Sequence, residues 1–254
     1  MSEIELVGGV NRVVRREDTV TRPAGDWTPS VHRLLDHLRA KGFDGAPRAL
    51  GISADGSEET VSYVEGEVGH YPLPGYVRGD EALCAAARLL RGLHDASADF
   101  PHRPDDAWML QAREPVEVIC HGDAATYNCV FRDGLPVAFF DFDTAHPGPR
   151  LWDAAYTAYR FVPLHAPDAG EGTLPLEEQS RRLRMFADAY GLTTEERTRL
   201  TDTVVARLHA LVDFMTEQAA AGSAAFAGHL AEGHHLRYLA DAGYVTEHAA
   251  QFAC

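Results

Sequence analysis

VICHGDAATYNCVFRDGLPVAFFDFD, residues 118–143, contains three short apolar runs that are separated by polar residues. Each run has the length and composition of a buried strand, and Asp133-Gly134 between the second and third predicts a tight turn. Asp123, Asn128 and Asp141 each stand next to the end of one of these runs. The sequence therefore predicts three polar acceptor side chains at the ends of short buried strands.

These side chains suit one kind of chemistry. Carboxylate and amide oxygens are hard ligands of the kind that Mg²⁺ prefers, so Asn128 and Asp141 are predicted metal ligands. A carboxylate held on a loop can accept the proton of an attacking hydroxyl, and Asp123 is the predicted base. Phosphoryl transfer needs both a metal site and a positioned base, with little covalent chemistry from the protein.

The spacing of these residues resembles a known family. His-Gly-Asp, with Asn five residues after the Asp and Asp-Phe-Asp at 141–143, is similar to the motifs of the aminoglycoside phosphotransferase and choline kinase family. The segment GPRLWDAA, residues 148–155, resembles that family's next motif. The alternative is that the acidic residues only cap turns of a β-meander. His121 and Asp153 are expected to shape the catalytic loop, and Asp143 to join the metal site or to serve as a structural or substrate-side acid.

The resemblance implies a two-lobed α+β fold of the protein-kinase type. Residues 1–66 would form a small N-lobe, an antiparallel sheet plus a helix that covers the nucleotide. Residues 67–254 would form a larger, mainly helical C-lobe with the catalytic loop and the acceptor-binding helices. Helical periodicity in this second part predicts helices that start near residues 80, 154, 176 and 194, and a last one at about 224–239.

The N-terminal pattern predicts three strands within residues 2–22. In the family's N-lobe, the first hairpin covers the nucleotide phosphates, which here assigns Gly8, Gly9 and Asn11. The third strand carries a cation, which here is Arg22 because the chain has one lysine, Lys41, placed elsewhere. The alternatives are an ordinary glycine hairpin and a solvated arginine at a strand end.

A helix is predicted to follow, with Thr28 as its N-cap and Gly42 at its end. The family's helix donates a glutamate to the strand cation, but this helix contains none and offers only His32 or Asp36. The usual ion pair is therefore in doubt. Tyr63 and Val64 resemble the family's hinge, where backbone groups bind adenine.

Composition limits the possible partners. The 254 residues carry a formal net charge of −15, which argues against nucleic acid and fits a cationic acceptor. No apolar run is long enough to cross a bilayer, and the acidic N-terminus has no signal-peptide pattern, so a cytoplasmic location without a membrane partner is expected. The cysteines form no Cys-x-x-Cys pair and predict neither a zinc site nor a disulfide framework.

The expected function is Mg²⁺-dependent transfer of the γ-phosphate of ATP or GTP to a hydroxyl group of a small molecule, such as an aminoglycoside or an amino alcohol. One alternative is a kinase that acts on a peptide or protein hydroxyl. Another is a non-catalytic kinase-like binding or immunity protein. The missing helix glutamate favours this last alternative, whereas the intact Asp123, Asn128 and Asp141 argue against it.

Overall fold

A five-stranded antiparallel sheet begins the chain in the computed structural model, which describes residues 3–6, 13–167 and 173–253. Its spatial order is β1-β2-β3-β5-β4, which places β3 between β2 and β5. The strands are β1 (Glu3–Leu6), β2 (Val13–Arg16), β3 (Thr19–Pro23), β4 (Ala49–Ile52) and β5 (Glu58–Ser62). Arg22 on β3 lies directly opposite Glu59 on β5 in the strand register.

Helix α1 (Thr28–Ala40) lies between β3 and β4 in sequence and has a buried apolar face that includes Leu34 and Leu38. The predicted N-cap is wrong by one residue, since Trp27 is the N-cap and Thr28 is the first helical residue. The hydroxyl of Thr28 instead accepts a hydrogen bond from the backbone N–H of Gly25, so it stabilises the preceding turn.

Short strands organise the segment that leads to and from residues 118–143. Strand β6 (Glu67–Val68) pairs with β8 (Cys129–Arg132), which pairs with β9 (Leu135–Phe139). Strand β7 (Val118–Cys120) pairs with β10 (His146–Gly148). The three predicted strands of this stretch are thus present, but the first belongs to a separate two-stranded ribbon.

Helices make up most of the larger part of the chain. They are α2 (Asp80–Ser97), α3 (Arg150–Phe161), α4 (Leu176–Tyr190), α5 (Thr194–Ala220), α6 (Ala224–Ala231) and α7 (His234–Glu247). The single final helix predicted at about 224–239 is wrong, because Gly233 adopts a left-handed φ of 78° and separates α6 from α7. Because glycine lacks a Cβ, this left-handed conformation costs little free energy.

The architecture confirms the predicted fold class: a small antiparallel sheet with one helix precedes a larger, mainly helical part. The boundary at residues 66 and 67 stays a prediction. Across the residues that the structure describes, no helix combines the length and the apolarity that a membrane crossing requires.

Candidate functional site

A cavity of about 1170 Å³ collects most of the sequence-predicted residues. Its walls come from the N-terminal sheet, from the segment after β5, from the loops around β8 and β9, and from α3 and α5. The predicted site residues that line it are Arg22, Tyr63, Val64, Asp123, Asn128 and Asp141. Gly8, Gly9 and Asn11 lie outside the described residues.

Asp123 follows the β7 strand and faces this cavity. The hydroxyl of Tyr127 donates a hydrogen bond to its carboxylate at 2.8 Å, and the side-chain amide of Asn128 donates another at 2.9 Å. Burial raises the pKa of Asp123 to about 6, although the Tyr127 hydrogen bond opposes the shift. The carboxylate is therefore oriented and more basic than a solvated aspartate, as proton acceptance requires.

Asn128 and Asp141 present oxygens that fit a divalent cation. Asn128 uses its amide nitrogen on the carboxylate and the carbonyl of Asp123, so its amide oxygen is not needed there. Asp141 adopts a left-handed φ of 63°, and its side chain is 43% exposed at the cavity. Mg²⁺ commonly takes one or two protein oxygens and completes its shell with phosphate and water, so this donor set suits it.

Arg22 is the centre of an ion cluster beside Asp141. Its guanidinium donates to Glu59 at 2.7 Å, to Asp141 at 2.5 Å and to Asp143 at 2.6 Å. Burial alone would lower the pKa of Arg22, but the three carboxylates, Asp141 foremost, outweigh it and raise the pKa above its usual value. The alternative of a solvated strand end is wrong, since the Arg22 side chain is only 13% exposed.

Glu59 is a site residue that the sequence did not reveal. Its side chain is buried between Arg22 and His32, whose ring nitrogen lies 2.7 Å from the second carboxylate oxygen. Residues opposite each other on antiparallel strands share a face, so the register brings Glu59 onto Arg22. A strand glutamate thus takes the place that the family gives to a helix glutamate. Of the two helix residues that the sequence offered, His32 joins this cluster and Asp36 is exposed.

Asp153 on α3 braces the backbone of the loop that carries Asp123. Its carboxylate accepts the N–H of His121 at 2.6 Å, the N–H of Gly122 at 3.0 Å and the ring of His94 at 3.0 Å. Burial would raise the pKa of Asp153, but the His94 hydrogen bond and the neighbouring imidazoles prevail and hold it well below its usual range. Asp153 and His121 are thus placed in the loop's support, as predicted, while their roles stay a prediction.

Gly122 allows the loop to pass close to the segment after Asp143. It adopts a φ of 84°, and a Cβ at this position would lie 2.3 Å from the backbone oxygen of Thr144. The hydroxyl of Thr144 donates to the carbonyl of His121, while Arg207 on α5 donates to the carbonyl of Gly122 at 2.6 Å. Three separate segments therefore meet at this one residue.

Aromatic rings and arginines also lie near Asp123. Arg207 lies over the ring of Tyr156 at 4.6 Å, and Arg160 lies over Tyr127 at 5.0 Å. None of these was a predicted site residue. The only signal was Arg207 itself, a basic residue between the apolar Val204 and Leu208 of a helical repeat.

Comparisons with known proteins show which family the chain belongs to. The model of a phosphotransferase enzyme family, APH, matches residues 106–201. The chain is 33% identical over 205 residues to a trifolitoxin immunity protein of Rhizobium leguminosarum bv. trifolii, covering 78% of this chain and 77% of that protein.

Solved structures show the same fold at low identity. An amicoumacin kinase in complex with AMP-PNP, Ca²⁺ and Ami aligns with a TM-score of 0.68 at 12% identity, covering 96% of this chain and 88% of that one. A choline/ethanolamine kinase family protein from Mesorhizobium loti aligns with a TM-score of 0.62 at 17% identity, covering 95% and 92%. By the family match and the identity to the immunity protein, the chain belongs to the phosphotransferase enzyme family.

Proposed function

We propose that this protein transfers the γ-phosphate of ATP or GTP to a hydroxyl group of a small molecule, in a Mg²⁺-dependent reaction. The observation that carries the proposal is the meeting of Asp123, Asn128 and Asp141 in one cavity, with Asn128 joined directly to the Asp123 carboxylate. A catalytic base next to hard oxygen ligands is the arrangement that phosphoryl transfer requires.

Each residue has a definite task in this reaction. Asp123 orients the acceptor hydroxyl and takes its proton. Asn128 and Asp141 would hold the metal, which supplies charge neutralisation for the nucleotide phosphates. Arg22 contacts the phosphates in place of the family's lysine, held in position by Glu59. The segment at Tyr63 and Val64 receives the purine base, and we retain Gly8, Gly9 and Asn11 as phosphate-covering residues.

The remaining tasks belong to residues around the loop. Asp153 and His121 hold its backbone, and Asp143 holds Arg22 rather than the metal, given the 2.6 Å contact between them. We also propose a cytoplasmic protein that acts without nucleic acid or membrane, with a lobe boundary at residues 66 and 67. The acceptor is a small molecule rather than a peptide chain, because the cavity is bounded on the acceptor side by α5, α6 and α7 residues.

A non-catalytic immunity protein is the second candidate. It is favoured by the Arg22 contact with Asp141, which occupies one oxygen of the proposed metal ligand, and by the name of the trifolitoxin immunity relative. In this candidate, Arg22 would remain on Asp141, where a catalytic protein would hold a metal ion.

Nucleotide binding separates the two candidates. We expect ATP or GTP with Mg²⁺ to raise the melting temperature of the wild-type protein, and EDTA to reduce this shift. Asp141→Ala should lose the Mg²⁺-dependent part, whereas Asp123→Asn should keep it, because Asp123 acts on the acceptor. A nucleotide shift that is indifferent to Mg²⁺ and to Asp141→Ala would favour the non-catalytic protein, and no shift with any nucleotide would overturn the kinase proposal.

A further inference from the structure

Arg207 is a buried cation without a carboxylate partner. It is 5% exposed, lines the cavity, and donates through one terminal nitrogen to the carbonyl of Gly122 in the catalytic loop. Its Nε has no hydrogen-bond partner, and no carboxylate among the described residues forms an ion pair with it. Burying an unpaired charge is costly, so a retained charge of this kind points to a partner that arrives from outside.

Two further arginines flank the same region. Arg160 is half-buried, donates to the hydroxyl of Tyr71 at 3.2 Å, and leaves its Nε without a partner. Arg113 is exposed at the cavity and lies 3.7 Å from the ring centre of Trp152. Within the described parts of the chain, neither forms an ion pair with a carboxylate. This region therefore holds three arginines without an ion pair among the described residues, of which Arg207 is buried, while the cavity's acids there are Asp123 and the exposed Asp213 and Glu217.

The aromatic rings of this region already bind the protein's own cations. Arg207 lies over Tyr156 at 4.6 Å and over Trp152 at 5.6 Å, and Arg113 lies over Trp152 as well. Arg160 lies over Tyr127. An aromatic cage binds a ligand ammonium through open ring faces, and guanidinium groups take these faces here. A cationic acceptor would therefore find these ring faces occupied, and the arginines would repel it.

From these contacts we propose that the acceptor is a hydroxyl compound that also carries an anionic group, a carboxylate in the simplest case, which Arg207 binds together with Arg113. This inference rests on the proposed function, because it describes the acceptor of the same site. It also replaces the expectation of a cationic acceptor drawn from net charge. The exposed acids of the cavity, Asp213 and Glu217, lie on α5 about two and about three turns after Arg207.

Matched probe pairs test the sign of the charge directly. The first pair is 4-hydroxybutyrate and 4-amino-1-butanol, and the second is 3-(4-hydroxyphenyl)propionate and tyramine. Binding is measured by saturation-transfer NMR on the full chain with Mg²⁺ and a non-hydrolysable ATP analogue. We expect the anionic member of each pair to bind at least fivefold more tightly than the ammonium member.

Three variants test whether Arg207 causes the preference for the anionic probes. A charge-assisted contact to a carboxylate is worth about tenfold to a hundredfold in affinity, so Arg207→Met should remove most of the preference. Arg207→Lys keeps the charge and should retain part of it. Asp213→Asn is the control and should leave the preference for the anion in place. The nucleotide-induced shift in melting temperature checks that each variant is folded.

Several outcomes would overturn the inference: tighter binding of the ammonium members, equal or undetectable binding of both members, or an unchanged preference in Arg207→Met. A loss of nucleotide binding in Arg207→Met, with the anion preference intact, would assign Arg207 to the nucleotide phosphates and also overturn it. The proposed function fails separately, when no nucleotide stabilises the wild-type protein. Anion binding without nucleotide binding would then support a binding protein for an anionic ligand.

Discussion

The buried arginines at the two ends of the cavity have different kinds of partner. At the N-terminal sheet, Arg22 contacts the carboxylates of Glu59, Asp141 and Asp143 and forms no stacking contact in the described structure. At the helical end, Arg207 contacts a backbone carbonyl and two aromatic rings, without a carboxylate. Both side chains are largely buried.

The difference separates a charge that the protein's own carboxylates already hold from a charge that they leave without an ion pair. Arg22 is surrounded by more negative charge than it carries, so the protein itself satisfies it, and a metal or phosphate must compete for its partners. Arg207 is held in place by packing and one hydrogen bond, so its charge is free to select a ligand. Partner chemistry, rather than burial, tells the two apart.

Removing Arg22 should have the largest effect. Arg22→Met leaves three carboxylates together, one of them the buried Glu59, and we expect it to lower the free energy of unfolding at pH 7.5 by about 3–5 kcal/mol. Burial raises the pKa of Asp143 to about 6, above its unfolded value, so this acid takes up its proton first as the pH falls, and the deficit of the variant should shrink at pH 5. Urea unfolding at pH 7.5 and pH 5 measures both. An equal deficit at the two pH values would contradict the ion-cluster explanation.

Removing Arg207 should cost less. Arg207→Met loses one hydrogen bond and its cation–π contacts but leaves no partner carboxylate unpaired, and methionine can still pack on Trp152 and Tyr156. We expect a loss of about 1–2 kcal/mol, measured by the same unfolding experiment. Arg207→Lys is the matched control, and its free energy of unfolding should lie between those of the wild type and Arg207→Met. A loss as large as that of Arg22→Met would mean that Arg207 is a structural charge after all.

Asp123 should show a small effect of the opposite sign. Its pKa is raised to about 6, above the unfolded value, so the folded state favours the proton and ionised Asp123 lowers stability as the pH rises from about 4 through 6. We expect Asp123→Asn to be about 1 kcal/mol more stable than wild type at pH 8 in EDTA. The gain is limited because Tyr127 and Asn128 donate to different carboxylate oxygens, and one of these positions becomes an NH2 group that cannot accept a hydrogen bond.

Unfolding curves at pH 4 and pH 8 check this expectation. Most of the advantage of Asp123→Asn should be lost at pH 4, where Asp123 is protonated in the folded wild-type protein and about half protonated in the unfolded chain. A variant that is less stable than wild type at pH 8 would show that the two donated hydrogen bonds outweigh the cost of burying the charge.

The rim acids should have the smallest effect. Asp213 and Glu217 are exposed on α5, and surface substitutions away from special features change stability little. We therefore expect Asp213→Asn and Glu217→Gln to leave the urea midpoint unchanged within error. A marked change in either variant would mean that these acids, and not only the arginines, contribute to the stability of the helical end of the cavity.

Sequence was sufficient for the parts of the site that are local in the chain. Asp123 and Asn128 stand five residues apart on one loop, and Asp141 follows the next hairpin, so turn chemistry and strand pattern bring them together. The fold class followed from the same stretch. The parts that were missed depend on contacts between distant segments.

Glu59 was missed because its role depends on strand register, and a shift of one residue would turn its side chain to the other face. Arg207 was missed because helical periodicity places it on a buried face without showing what that face covers. The break at Gly233 was missed because an isolated glycine is tolerated within helices. In each case the deciding energy belongs to tertiary packing rather than to the local sequence.

The close approach at Gly122 also governs how this site can vary. No side chain fits there without moving the backbone of Thr144, which follows the Asp141–Asp143 segment. Substitution at this one position would thus displace the loop of the proposed base and the loop of the proposed metal ligand together. Mutational libraries should leave it fixed. Because the two loops would move together, a change of acceptor preference is easier to engineer in the residues around Arg207 on α5 than in either loop.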